Sequence, residues 1–166
     1  MPRPLRIIAL FCLSLLLVAC GFALRGSEPM TALPAASVYI RSPQENSPLV
    51  QSLQSALQAQ QMQITSSAAQ ATYVLELGRE DFNAQTATVN GRARAAQYAY
   101  QLSTQVSLQR NGEVLLAPER LQVENQLFFD SFNTAGSLLE EDLVRAEMRT
   151  QLVNQILSRL RAATAQ

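Results

Sequence analysis

Between Gln97 and Leu108 the chain alternates with a period of two. Tyr98, Tyr100, Leu102, Thr104, Val106 and Leu108 fall on one side; Gln97, Ala99, Gln101, Ser103, Gln105 and Ser107 fall on the other. This pattern predicts an antiparallel strand with one face in a core and the other in water. Two shorter runs, Ser37-Val38-Tyr39-Ile40-Arg41 and Tyr73-Val74-Leu75-Glu76-Leu77, also predict strands, being rich in β-branched, aromatic and aliphatic residues. Gly78 then marks a bulge or bend, and strand character resumes weakly through Phe82 and Val89. Asn90-Gly91 and Asn111-Gly112 suit two-residue hairpin turns, since both positions tolerate positive φ. A fourth strand follows the second turn, broken near Pro118, with Leu121, Val123, Leu127 and Phe129 inward.

Elsewhere the period lengthens to that of a helix. Ser47 followed by Pro48 is a helix start: the hydroxyl accepts from free amides, and proline at the first position loses nothing. Leu49, Leu53, Ala56 and Leu57 then share a face, and the helix is expected to end near Gln61. Ser137-Leu138-Leu139-Glu140 has the form of a capping box. Behind it Leu139, Leu143, Ala146, Thr150, Val153, Leu157 and Leu160 recur at helical spacing, widened by Met148, Leu152 and Ile156. Glu140, Glu141 and Asp142 near the start and Arg159 and Arg161 near the end suit the helix dipole. The expected order is β-α-β-β-β-α. It implies an α+β fold, a two-layer α/β sandwich with both helices on one face of a mixed four-stranded sheet. The first helix makes a right-handed crossover, so the strands it joins should be parallel.

Composition removes several functions. The chain of 166 residues has no histidine and two cysteines. A Ser-His-Asp or Cys-His enzyme is excluded, and the commonest metal ligand is missing. A paired-carboxylate enzyme stays open on composition, with no residues pointing to one. No cofactor, metal or catalytic role is expected. Every basic residue is arginine, and arginine and acidic residues balance at 13 each. Bulk charge gives no pull toward nucleic acid.

The first residues read as a leader rather than as fold. Arg3 and Arg6 precede an apolar run, Ile7 to Val18, that is well short of the ~20 residues a bilayer span needs. Leu17-Val18-Ala19-Cys20 looks like a bacterial lipobox, which would make Cys20 the acylated first residue of the mature chain. An ordinary secretory signal with a chance cysteine is the other reading. Cys12 would leave with the leader, and no thiol would remain for a disulfide or a metal. The expected division is residues 1–19 as signal peptide, 20–36 as lipidated N-terminus and tether, and 37–166 as one folded domain. Pro29 and Pro34 mark the tether, which would reach at most about 55 Å.

Cys20-Gly21-Phe22-Ala23-Leu24-Arg25 resembles the start of mature LptE-family lipoproteins, whose pattern is Cys-Gly-(aromatic)-x-Leu-Arg. Gln97-Tyr98 and Leu127-Phe128-Phe129-Asp130 resemble further positions of that family, and the order and lengths of elements agree. The resemblance implies an outer-membrane lipoprotein that plugs an LptD-like β-barrel and takes part in lipopolysaccharide transport to the outer leaflet. It implies no enzymatic activity. Gly21, where some bacteria use aspartate to retain lipoproteins in the inner membrane, favours the outer membrane. A periplasm-facing outer-membrane lipoprotein that binds lipid or peptidoglycan without a barrel is the alternative.

Two stretches are candidates for contact. From Ala95 to Gln109 there is no charged residue, which suits a surface that is covered yet wet, such as one inside a barrel lumen. A plain solvated face would have the same composition. Arg92 and Arg94 follow the Asn90-Gly91 turn and would suit a phosphate of lipopolysaccharide, or simply solvent. In the family, basic residues near this turn and before the last helix are linked to lipopolysaccharide. The second group has no counterpart between Ser131 and Leu139 here.

Overall fold

The structure is a computed structural model that describes residues 33, 36–89, 95–128 and 134–165. Its elements are β1 (Ser37–Arg41), α1 (Pro48–Ala59), β2 (Gln63–Ile64), a 3-10 turn (Ala68–Gln70), β3 (Tyr73–Leu77), β4 (Asp81–Val89), β5 (Ala95–Arg110), β6 (Glu113–Phe128) and α2 (Thr134–Thr164). Ser47 caps α1, its Oγ accepting from the Val50 amide at 3.3 Å, with Pro48 in the first turn. Leu49, Val50, Leu53 and Leu57 are the buried face of α1. β1 and β3 are parallel, as the crossover through α1 requires. The small β2 adds a parallel edge beside β1. At the β5–β6 turn Asn111 and Gly112 both hold positive φ, 52° and 86°, the backbone expected of Asn-Gly.

Among the described residues the sheet has six strands and not the expected four, because β2 is added and one expected strand is interrupted. β3 and β4 lie end to end along the same edge of β5, both antiparallel to it. Leu77 pairs with Val106 and Asp81 with Ser103, so the β3–β4 side carries one residue more than β5 across the gap. Gly78 donates to the Gln105 carbonyl at 2.8 Å, leaving Arg79 and Glu80 to share the place opposite Thr104. This is a one-residue bulge. It inverts the alternation: Tyr73, Leu75 and Leu77 face the core at odd positions, and Phe82 packs against it at an even one. β6 covers the other edge of β5 from end to end as one strand, with register shifts where the break near Pro118 was expected.

One hydrophobic core lies between the sheet and the helices. It joins Val38 and Leu75 with Tyr100, Leu102 and Val106 of β5, Leu121 and Val123 of β6, Leu53 and Leu57 of α1, and Met148, Leu152, Ile156 and Leu160 of α2. Leu33, within the stretch read as tether, is also buried in this core. Phe129 lies outside the described residues. Among the described residues no helix is long and apolar enough to cross a membrane.

Helix α2 departs from expectation in two ways. It begins at Thr134, so Ser137 lies inside it instead of capping it. The acidic run from Glu140 to Asp142 therefore sits beyond the first turn, where the dipole benefit has faded. Its buried stripe is centred on Met148, Leu152, Ile156 and Leu160. Val153 and Leu157 flank that stripe and are buried, whereas Leu139 and Leu143 are 68% and 71% exposed, and Ala146 and Thr150 are exposed too.

Polar and aromatic contacts dock the first half of α2. Arg149 meets Glu80 of the bulge through Nε–Oε2 and Nη2–Oε1 contacts of 2.9 Å each, with both side chains mostly buried. The Arg145 guanidinium lies 3.9 Å from the Phe82 ring centre. Phe82 in turn stacks on Tyr100 at 5.4 Å, and the Tyr100 hydroxyl donates to Glu141 at 3.3 Å. Burial, reinforced by the Glu141 carboxylate, pushes the Tyr100 phenol up to about 12.

Candidate functional site

The sheet face away from the helices is built on β5. Its outward residues follow a simple rule: glutamine at 97, 101, 105 and 109, and a small residue at 99, 103 and 107. Four residues along a strand span roughly 13 Å and return to the same face. The glutamines therefore form ridges, with Ala99, Ser103 and Ser107 in the gaps. Neighbouring strands supply longer side chains on both flanks. Ser103 lies between Asp81 and Gln122, and Gln101 between Asn83 and Glu124.

Three shallow depressions result, one at each small residue. The depression at Ser107 is about 310 Å³ and is bounded by Arg41, Glu76 and Pro118. The one at Ser103 is about 340 Å³, between Arg79, Asp81 and Arg120. The one at Ala99 is about 170 Å³, between Asn83, Gln85, Glu124 and Gln126. Together they trace a trough along β5.

Charge is present beside the trough but is mostly neutralised there. Arg120 reaches across β5 and donates through Nη2 to Ser103 Oγ at 2.7 Å and to Asp81 Oδ2 at 2.9 Å. Arg41 pairs with Glu76 at 2.7 Å, and Ser107 Oγ donates to the other oxygen of Glu76 at 3.3 Å. Gln101 Nε2 donates to Glu124 at 3.2 Å. Ser103 and Ser107 are consequently buried on an otherwise open face. Arg79 is exposed at the rim, with no ion pair among the described residues.

The uncharged strand predicted from sequence is thus found, set between cross-strand ion pairs that the sequence did not disclose. Arg120 and Asp81 are 39 residues apart, and only the register of β4, β5 and β6 brings them together. The glutamine/small repeat was visible in the sequence and marks the trough. Cys20, Arg92, Arg94 and the Asn90-Gly91 turn lie outside the described residues. Among those described, no group of acidic, histidine or cysteine side chains is arranged to hold a metal. What the face offers is a row of hydrogen-bonding groups with little net charge, suited to binding a polar surface.

A family model described as LptE, lipopolysaccharide-assembly, matches residues 35–160. A comparison with curated proteins returned no significant match. Several solved structures share the fold. A rare lipoprotein B from Shewanella oneidensis superposes with a TM-score of 0.69 at 18% identity, covering 76% of this chain and 94% of that one. A lipoprotein B from Nitrosomonas europaea gives 0.72 at 18% identity, with 87% and 93% covered. A minor lipoprotein from Acinetobacter baumannii gives 0.63 at 18% identity, with 78% and 93% covered.

Proposed function

Because the chain belongs to the LptE family of lipopolysaccharide-assembly proteins, we propose that it is the lipid-anchored plug of an LptD-like β-barrel in the outer membrane. Membership of the family makes it a lipopolysaccharide-assembly protein and not an enzyme. The observation that carries the finer reading is the outward face of β5. An apolar partner would call for an apolar patch, and the outward side of β5 has none. Here the strand offers glutamine, serine and alanine, and most of the flanking charge is held in two cross-strand ion pairs, Arg41 with Glu76 and Arg120 with Asp81. Such a face suits a wet wall of hydrogen-bonding groups, where water bridges the contacts at little cost.

In this reading residues 1–19 are removed and Cys20 carries the lipid. More than one acyl chain is needed for lasting attachment, and a bacterial lipoprotein cysteine normally has a diacylglyceryl group and an amide-linked chain. The tether follows Cys20 and ends before Leu33, the first described residue buried in the core. Arg92 and Arg94 meet lipopolysaccharide phosphates as it passes. Reversing both charges would weaken lipopolysaccharide binding and reduce its salt dependence, and unchanged affinity in a folded double variant would remove them from the path.

Detergent extraction of membranes tests the proposal. A large β-barrel protein should copurify with this protein in equal amounts, and Cys20→Ala should abolish acylation and processing at that position. Recovery of the lipidated, folded protein without any barrel would reject the plug reading in favour of a lipoprotein that acts alone.

A further inference from the structure

We infer that the free edge of β4, from Phe82 to Thr86, is a docking edge that takes an extended, uncharged strand of the barrel partner by β-augmentation. This rests on the plug reading above and specifies where and how the partner attaches. On one side Asp81 to Thr86 pair without interruption with Ser103 to Tyr98 of β5. On the other side no strand pairs with it among the described residues. β1 runs beside β3 but does not reach β4, its last pair with β3 being Arg41 with Glu76, before the bulge. Beyond that point every second residue of β4 directs its backbone N–H and C=O away from the sheet, unpaired among the described residues.

Free edges invite pairing with other chains, and proteins usually blunt them by shortness, charge, proline or bulges. The other edges of this sheet are treated that way. β2 is two residues long. β6 carries Pro118, two register shifts and the charged residues Glu113, Glu119, Arg120 and Glu124. β4 has no charged residue, proline or glycine from Phe82 to Val89, and irregular pairing begins only after Thr86. Its residues from Asn83 to Thr88 are exposed on both faces. An edge left this open to pairing is accounted for if something covers it.

The chemistry of the edge selects the occupant. A row of amides and carbonyls repeating every ~6.6 Å is complemented in full only by another extended backbone. Charge would find no partner along Phe82 to Thr86, so the incoming strand is neutral, with small, hydroxyl or β-branched side chains. The edge also continues the proposed interface, because Asn83 and Gln85 bound the depression at Ala99. A strand added there would extend the neutral face by one strand, without disturbing the ion pairs nearer the bulge.

Amide hydrogen exchange on the intact lipoprotein, free and in its copurified complex, tests this. Alternate amides between Asn83 and Thr86 should exchange about tenfold or more slowly in the complex, while buried β3 amides stay as they were. If the complex forms and β4 exchanges as it does in the free protein, the inference fails and the plug reading stands. If no barrel protein copurifies, the plug reading fails and takes this inference with it. Protection that appears in the protein alone, rising with its concentration, would assign the edge to a second copy of the chain and overturn the proposal.

Discussion

A methyl group at Gly78 would come within 3.2 Å of both Cβ and N of Gln105. Glycine is needed there because the two backbones of the bulge are in close approach, joined by the 2.8 Å bond from the Gly78 amide. Gly78→Ala should therefore cost about 1–3 kcal/mol, read as a shift of the urea midpoint. A loss below about half a kcal/mol would mean that the ladder yields there without strain. Tyr100 gives a second test. Its phenol ordinarily ionises near 10 and is pushed up to about 12 by burial and by Glu141. The unfolded chain would thus lose this proton first. The resulting stabilisation is complete below pH 10 and disappears as pH climbs from there toward 12. Tyr100→Phe should flatten that part of the stability profile; a variant declining as steeply as the parent would contradict the assignment. Local chemistry made some residues legible in advance, as at Ser47, Pro48, Asn111 and Gly112. The pairing of Arg120 with Asp81 was not legible, because no local rule connects positions so far apart.

Among the elements, β5 was the most legible, since one strand buried on one face imposes a strict period of two. The bulge was foreseen at Gly78, but its effect on parity was not, and that effect turns Glu80 toward Arg149. In α2 the apolar stripe read from sequence was too wide. Leu139 lies about five turns before Leu157 and so on the same flank of the helix, yet Leu157 is 5% exposed and Leu139 is 68% exposed. Length supplies the reason. The 12 residues of α1 span roughly 18 Å and the 31 of α2 roughly 46 Å. A second helix can flank only part of α2, and elsewhere the sheet alone covers it. A periodicity shows which residues share a face, and not how far a neighbour extends along it. Leu157→Ala should then cost about 2–5 kcal/mol, and Leu143→Ala should stay within about 0.5 kcal/mol of the parent. Equal losses in chemical denaturation would reject this division of the helix.

At the scale of the molecule, two faces of one sheet do different work. The inner face is closed over by the helices, except along β4 beyond Phe82, and is ordinary core. The outer face is a trough with an uncharged floor, mostly paired charges on its flanks and an unguarded edge at β4. Its uncharged central strand was legible from Ala95 to Gln109, whereas its shape was not, because the depressions depend on side chains from four other strands. In the plug reading this face lies against the wall of a β-barrel. A photo-crosslinker placed at Gln101 or Gln105, on the ridges between the depressions, tests it most directly in intact cells. Capture of a large outer-membrane β-barrel protein at both positions is the predicted result. Crosslinks only to soluble periplasmic proteins, or none, from a protein that is lipidated and folded, would contradict it.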